Sequence, residues 1–218
     1  MAEDVDALLV LAADASGSIS DDRERLQRAG YAAALRNPRF HAAIRTGRLG
    51  CIAVCYVEWS NSGHQMLARY GPAPRFTPIW TVISDAASAE ALAAAIPATP
   101  RMTPGYTSIS GAIDYSVRLI AAADLVAVRR VIDISGDGRN NDGRDVVLAR
   151  DAAVAAGITI NGLAMLDTDA ELEIYYRAEV IGGPLAFAMA AARAEDFAEA
   201  VLRKLVTEVA GIALPRQG

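Results

Sequence analysis

Three oxygen-bearing side chains stand at alternate positions near the amino terminus, in the run Asp14-Ala15-Ser16-Gly17-Ser18. They directly follow the apolar residues 5–13, a short run typical of a buried strand in a parallel sheet. A carboxylate and two hydroxyls at the end of a strand are hard ligands, which suit Mg²⁺, Ca²⁺ or Mn²⁺ better than Zn²⁺ or Cu²⁺. On its own, the same run is equally typical of an Asx turn followed by a helix cap.

Two further oxygen-bearing residues are predicted to lie where a strand ends or a helix begins. Thr107 follows a proline-rich loop and precedes an amphipathic helical stripe, and Asp137 stands between two glycines just after the buried-strand pattern 130–135. In a doubly wound parallel sheet, ligands bind outside the carboxyl ends of the strands, where the strand order reverses. The sequence therefore predicts one divalent-cation site. Its candidate ligands are Asp14, Ser16, Ser18, Thr107 and Asp137.

Strand-like and helix-like segments alternate along the chain. The strand patterns occupy residues 5–13, 50–59, 64–70, 130–135, 158–165 and 185–189. The segment 64–70 follows the turn Ser60-Asn61-Ser62-Gly63, which predicts a hairpin and an antiparallel edge strand. The whole succession predicts an α/β fold with a doubly wound, mostly parallel central sheet of about six strands, flanked by helices, with one antiparallel edge strand.

The composition limits the classes of function. The chain has 218 residues, 53% of them hydrophobic, and no linker or repeat divides it, so residues 1–218 are predicted to form one domain. The formal net charge is -5 and the arginines are scattered, which argues against a nucleic-acid partner. No apolar run reaches the length of about 18 residues of a membrane span, so no transmembrane segment is predicted. The sequence sets no oligomeric state.

The cellular compartment stays open at this level. Cys51 and Cys55 would lie about 13 Å apart on one predicted strand, too far for a disulfide, so they do not report on the redox environment. Met1 could be a start residue placed on a mature end. We expect a periplasmic or secreted protein if a signal peptide was removed before Ala2 or Glu3, and a cytoplasmic protein otherwise.

Taken together, three short motifs resemble a known metal site. Asp14-x-Ser16-x-Ser18, then Gly105-Tyr106-Thr107, then Asp137-Gly138 are similar to the metal-ion-dependent adhesion site (MIDAS) of a von Willebrand factor type A (vWA) domain. The resemblance covers essentially the whole chain, and the run 133–141 resembles an uncharacterised bacterial branch of that family. It implies a single domain with a Rossmann-like vWA fold.

The same resemblance implies roles for the site residues. Ser16, Ser18 and Thr107 would ligate the cation directly, and Asp14 and Asp137 would act mainly through bound water. The cation would be Mg²⁺, with Mn²⁺ or Ca²⁺ as the alternatives. Two carboxylates leave a divalent ion without excess negative charge, so an open coordination position would take an Asp or Glu of a partner protein. The implied function is a non-enzymatic protein-binding module.

Two residues depart from a simple vWA pattern. Gly136 stands before the motif aspartate, where Thr or Ser is common in the family, and Ser135 lies one place earlier. Asp133 puts a charge into a predicted central strand, where an unpaired carboxylate is costly. We therefore expect Asp133 to be paired, with Arg129 or Arg130 as the candidate partners.

Two other functions fit part of the pattern. A Mg²⁺-dependent Rossmann-like phosphohydrolase would use Asp14 as its nucleophile, Thr107 to hold phosphate and Asp137 to hold the metal. That class resembles Asp-x-Asp in its first loop and has a lysine before its third motif, whereas this chain has Ser16 and its single lysine is Lys204. The third function is a scaffold domain in which the metal site is vestigial.

Overall fold

Strands and helices alternate in the computed structural model, which describes residues 3–62, 65–67, 80–100 and 105–210. The strands are β1 (Glu3–Asp14), β2 (Ile52–Trp59), β3 (Gln65–Leu67), β4 (Thr81–Ile83), β5 (Leu125–Gly136), β6 (Thr159–Met165) and β7 (Ala188–Ala191). The helices are α1 (Asp21–Arg36), α2 (Pro38–Ile44), α3 (Ala86–Ala95), α4 (Ile109–Ala121), α5 (Val146–Ala155), α6 (Leu172–Tyr175) and α7 (Phe197–Ala210). Among these residues, no helix has both the length and the apolar composition needed to cross a membrane.

The strands form one sheet in the order β3-β2-β1-β5-β6-β7, and β4 pairs with β2 beside this path. Strands β2, β1, β5, β6 and β7 are parallel, whereas β3 pairs antiparallel with β2 at the edge. The prediction of a doubly wound, mostly parallel sheet with an antiparallel edge strand is confirmed. The chain leaves β1 in one direction to β2 and later returns to its other side with β5. The strand order therefore reverses beside β1, where this fold class binds ligands.

Strand β1 lies at the centre because its apolar run is buried on both faces. Leu9 and Leu11 belong to the core under α1 and α7, and Leu8 and Val10 to the core under α4 and α5. Burial on both faces is typical of parallel strands covered by helices on each side. The carboxyl end of β1, Asp14, is thereby fixed between two packed layers.

Strand boundaries differ from the sequence patterns by one to five residues, most at β5 and β7, and strand β4 was not predicted. Strand β5 begins at Leu125, five residues before the predicted start. The extra residues pair with β1, although the pairing of β5 with β6 begins only at Val131. Strand β7 is Ala188–Ala191, shifted from the predicted 185–189, since Leu185 has a positive φ of 60° and belongs to the preceding turn. Of the predicted strand 64–70, the structure describes Gln65–Leu67 as β3, and the remaining positions lie outside the described residues.

A buried group of charges, the β5–α7 ion cluster, joins the central sheet to the last helix. It consists of Asp133 on β5 with Lys204 and Glu208 on α7, and Lys204 pairs with both carboxylates, with its Nζ 2.7 Å from Glu208 Oε1. The expected pairing of Asp133 with Arg129 or Arg130 was wrong. Arg129 lies four residues back along the strand, about 13 Å away, whereas α7 packs directly over the sheet. Lys204 has no exposed surface.

Candidate metal centre

The loop after β1 presents the first three oxygen-bearing side chains. Asp14 ends the strand and its Oδ1 accepts a hydrogen bond from the Ser16 backbone N–H at 2.7 Å, which turns the chain sharply. The carbonyl of Asp14 accepts from Gln27 Nε2 of α1 at 2.8 Å, which holds the turn against the helix. Asp14 and Ser16 have no exposed surface, whereas Ser18 lies at the surface. The loop therefore faces solvent through Ser18.

The second loop holds Thr107 directly before α4. The Thr107 backbone N–H donates to Asn141 Oδ1 at 2.8 Å, and the Asn141 backbone N–H donates to the Thr107 carbonyl at 2.9 Å. The first and second loops are joined by a bond from the Gly17 N–H to the Gly105 carbonyl, also 2.8 Å long. Thr107 is thus fixed from both sides, by the loop after β1 and by the loop after β5.

Side-chain oxygens of the three loops converge on one point. Ser16 Oγ lies 3.2 Å from Ser18 Oγ and 3.3 Å from Thr107 Oγ1. Ser18 Oγ donates to Asp137 Oδ1 at 2.5 Å. The structure therefore brings all five sequence-predicted site residues to the carboxyl ends of β1 and β5. Their role as ligands stays a prediction.

Asp14 carries the clearest sign that this cluster suits a cation. Its Oδ2 is buried and has no hydrogen-bond partner among the described residues. Desolvation by burial raises the pKa of Asp14 to about 7, and repulsion from Asp137 adds to this effect. The hydrogen bonds from Ser16 act in the opposite direction and lower the pKa. Buried carboxylates are normally paired or bound to metals, and a divalent cation nearby would favour the ionised form. The residues present therefore fit the metal that the fold family implies.

Asp137 has a charged neighbour that the sequence did not reveal. Its Oδ2 accepts a hydrogen bond from Arg23 Nη1 of α1 at 2.8 Å, and Nη2 of the same guanidinium lies 2.6 Å from Asp167 Oδ2. The Arg23 side chain is 17% exposed and that of Asp137 is fully buried. The chain thus places its own cation against one of the two candidate metal carboxylates, but not against the other.

Gly136 is explained by the crowding around Asp14. A Cβ at Gly136 would lie 2.8 Å from Asp14 Oδ2 and 2.9 Å from the Tyr176 hydroxyl, closer than real Cβ atoms approach such neighbours. Ser135 turns away from the site, since its Oγ accepts a hydrogen bond from Tyr31 of α1 at 2.9 Å. Although the chain departs from the family pattern at Gly136, Asp137 still lies beside Ser18.

Sequence reasoning missed three residues that position the site. Arg23 contacts Asp137, Gln27 holds the turn at Asp14, and Asn141 clamps Thr107. The only available signal was the pair of asparagines after Asp137-Gly138, of which Asn140 also fixes α4 by accepting from the Ser110 N–H at 2.9 Å. Short amides in a loop are typical of backbone capping, so the signal indicated a turn but not which helix it would hold.

The donor set favours a hard cation in a site of low negative charge. Two carboxylates and three hydroxyls meet here, and no group of three His, Cys, Asp or Glu suitable for a metal occurs among the described residues. Oxygen donors of this kind suit Mg²⁺, Mn²⁺ or Ca²⁺. A site with so few charges could accept a further carboxylate from outside.

The chain belongs to the family described as "Protein of unknown function (DUF1194)", which it matches over residues 4–213. Its fold is that of a vWA domain. A von Willebrand factor type A structure from Catenulispora acidiphila is 16% identical, with a TM-score of 0.62, and the match covers 96% of this chain and 43% of that one. The search of curated proteins gave no match.

Two further solved structures extend this likeness. Proximal thread matrix protein 1 from the mussel byssus, in a structure whose MIDAS motif is occupied by zinc, is 11% identical at a TM-score of 0.62, covering 94% of this chain and 46% of that one. The pilus adhesin SpaC from Lactobacillus rhamnosus GG is 14% identical at a TM-score of 0.63, covering 94% and 31%. The chain spans less than half the length of each of these three structures. At these identities the likeness shows the fold.

Proposed function

We propose that this chain is a divalent-cation-dependent protein-binding module. The observation that carries the proposal is the buried, unpartnered Oδ2 of Asp14 beside three converging hydroxyls. Ser16, Ser18 and Thr107 would hold the ion, and Asp14 and Asp137 would balance its charge. When bound, the ion supplies a positive centre that attracts a carboxylate. Mg²⁺ is the proposed ion, with Mn²⁺ and Ca²⁺ as alternatives.

The proposed ligand is an Asp or Glu of a partner protein. Ser18 and Gly17 are exposed, so the site opens to solvent on the side where a partner would approach. The exposed Tyr106, 67% accessible, stands beside Thr107 and offers an aromatic contact at the rim. The names of the structural neighbours, a matrix protein and a pilus adhesin, support an interaction function.

The structure offers little for a phosphohydrolase. A nucleophile must reach its substrate, whereas Asp14 has no exposed surface. The single lysine, which such an enzyme would use on phosphate, is buried between Asp133 and Glu208 in the β5–α7 ion cluster. We therefore propose a non-enzymatic role.

Metal titration tests the proposal. Calorimetry and thermal unfolding should show that Mg²⁺, Mn²⁺ or Ca²⁺ binds and stabilises the chain, and that Asp14→Ala, Thr107→Ala and Asp137→Ala each abolish the effect. A melting curve that is indifferent to all three ions would support the vestigial scaffold instead. Hydrolysis of a generic aryl phosphate that is lost in Asp14→Asn would support the phosphohydrolase.

Partner binding is tested separately. A pull-down from the native organism should recover a protein in the presence of metal and lose it with a chelator. The same bait carrying Asp137→Ala should recover nothing under either condition. A partner retained equally with metal, with chelator and by the variant would bind a different surface and contradict metal-dependent recognition.

A further inference from the structure

Strand β5 has an open edge at its amino-terminal half. Residues Leu125–Arg130 pair with β1, from Glu3 opposite Leu125 to Leu8 opposite Arg130. On the other side, β6 begins at Thr159, which lies opposite Val131. Within the described part of the chain, no strand pairs with the β6 side of residues 125–130. The open edge is six residues long, and β1 already holds these residues in a strand conformation from the other side.

The side chains on this edge are unusually apolar for an exposed strand. Val126 is 56% exposed and Val128 is 64% exposed, and Arg130 is exposed as well. Alternate residues of a strand share one face, so these three side chains form one row. Asp124 directly precedes the strand and would extend the row if pairing continued through it. Natural edges are normally protected by charges, proline or a bulge. Leu125–Val128 contains none of these, and the charges of this edge, Asp124, Arg129 and Arg130, lie at its two ends. A partner for the edge is therefore expected.

The exposed row is complementary to itself. If two copies pair antiparallel about a two-fold axis through Ala127, Val126 lies opposite Val128 of the second copy, and Asp124 lies opposite its Arg130. The symmetry gives each pair twice, so the interface contains two valine contacts and two opposite-charge pairs. Both kinds of cross-strand pair stabilise antiparallel sheets. Asp124 and Arg130 have no ion pair or hydrogen bond from their side chains within the described residues.

We propose that this edge together with the preceding Asp124, called the β5 edge (residues 124–130), pairs with the same edge of a second copy to form a symmetric dimer with one continuous sheet. A two-fold contact must use the same patch on both subunits. This row can do so, because its valines would face valines and its acid would face its base. A different peptide would need a base, two apolar residues and an acid at alternate positions, so that its charges lie opposite Asp124 and Arg130 in antiparallel pairing. The second copy already has this arrangement.

The dimer would have a consequence for the metal centres, which rests on the proposed function. The candidate site lies at the carboxyl end of β5, about 40 Å along the strand from Asp124. Antiparallel pairing directs the two carboxyl ends in opposite directions. The two metal centres would then face away from each other, so that one dimer could link two partner molecules.

The first test is the mass of the full chain in solution. Light scattering and sedimentation over a dilution series should show a dimer that dissociates reversibly. Val128→Lys places a charge opposite Val126 and should weaken the dimer about tenfold or more. The matched control is Leu148→Lys, a change of the same kind at a 59% exposed position on α5, which should leave the dimer intact. Circular dichroism confirms that each variant folds.

A charge swap tests the register. Asp124→Arg places an arginine opposite Arg130 of the second copy in both symmetric pairs and should weaken the dimer about tenfold. Arg130→Asp places two aspartates opposite each other in the same way and should have a similar effect. The double variant Asp124→Arg/Arg130→Asp restores both pairs with reversed sign and should dimerise like the original chain. A failure of the double variant to recover would overturn this register.

A chain that stays monomeric at all concentrations would overturn the proposal. If the β5 edge amides of that monomer were protected from hydrogen exchange, another segment of the chain would cover the edge. Neither result bears on metal binding, which is measured on the same samples by titration. A dimer that binds no metal would leave the proposed dimer standing and contradict the proposed function.

Discussion

The candidate metal centre and the β5–α7 ion cluster both bury carboxylates carried by β5, yet only the second is fully supplied with a cation by the chain. Asp133 and Asp137 lie four residues apart on and just after the strand. Asp133 forms an ion pair with Lys204, whereas Asp14, which lies beside Asp137 at the metal centre, has no ion pair among the described residues. The two regions therefore differ in whether the chain itself supplies a cation to the buried carboxylate.

Burial alone does not distinguish these two carboxylates. Desolvation raises the pKa of both Asp14 and Asp133 to about 7, with further raising by Asp137 and Glu208 respectively. The difference lies in the neighbours. An internal ammonium completes the β5–α7 ion cluster, which is closed to solvent, whereas hydroxyls line the metal centre and one of them, Ser18, is exposed. The buried carboxylate that lacks an internal cation and adjoins an exposed hydroxyl is therefore the functional candidate.

The largest expected effect comes from removing the internal cation. Lys204→Met leaves Asp133 beside Glu208 without its ion-pair partner, and breaking a buried pair costs about 3–5 kcal/mol of unfolding free energy. A carboxyl whose pKa is raised in the folded state contributes stability at low pH and loses it as the pH rises through the folded pKa. The loss should thus be largest above pH 7, the raised pKa of Asp133, and shrink towards lower pH.

Denaturant unfolding at several pH values measures this effect. The control is Arg203→Met, an exposed neighbour on the same helix, which should change little. A Lys204→Met variant as stable as the original chain would mean that the cluster does not need its cation, and the contrast between the two regions would fail.

The second effect should appear only when metal is present. Asp14→Asn removes a buried charge with little change of shape, so the metal-free variant should be at least as stable as the original chain. At a metal concentration of about 100 times Kd, the original chain should gain about 2.7 kcal/mol, and the variant should gain nothing. Thermal unfolding with and without Mg²⁺ measures both, with the exposed Asp22→Asn as control. Destabilisation of the metal-free variant would assign Asp14 a structural role like that of Asp133.

The third effect tests the crowding around Asp14. Gly136→Ala would push a methyl group to 2.8 Å from Asp14 Oδ2 and should cost about 1–3 kcal/mol in the absence of metal. The matched control is Gly138→Ala, whose Cβ would lie 3.4 Å from Thr107 Oγ1, which is close to ordinary contact. Unfolding free energies of the two variants compare the positions directly. Equal costs would show that Gly136 has no special relation to the metal centre.

The sequence predicted the sheet and the candidate site to different depths. The largely apolar run of β1, the buried-strand pattern of β5 and the glycines after them were sufficient to predict parallel strands with oxygen-bearing residues at their ends. Because the carboxyl ends of such strands share one edge of the sheet, the convergence of Asp14, Thr107 and Asp137 followed from topology. Direct ligation by these residues stays a prediction.

Residues that act across the fold could not be predicted in the same way. Lys204 lies 71 positions after Asp133 and approaches it only because α7 packs over β5. Arg23 lies 114 positions before Asp137. Local patterns report periodicity and turns, and neither reveals which charged side chain on a distant helix will point at a given carboxylate. Arg129 and Arg130 were the wrong candidates for Asp133 because they were close in sequence rather than in space.

The smallest expected effect concerns Arg23, which makes the metal centre partly resemble the β5–α7 ion cluster. Its guanidinium holds Asp137 Oδ2 at 2.8 Å and would repel a divalent ion bound nearby. Arg23→Gln should therefore tighten Mg²⁺ binding by about tenfold, equivalent to about 1.4 kcal/mol. The control Arg25→Gln, on the exposed side of α1, should leave the affinity unchanged. Calorimetric titration measures both, and weaker binding in Arg23→Gln would mean that the arginine chiefly positions Asp137 for the metal. The chain would then use its internal cation to organise this site, as it uses Lys204 to close the other.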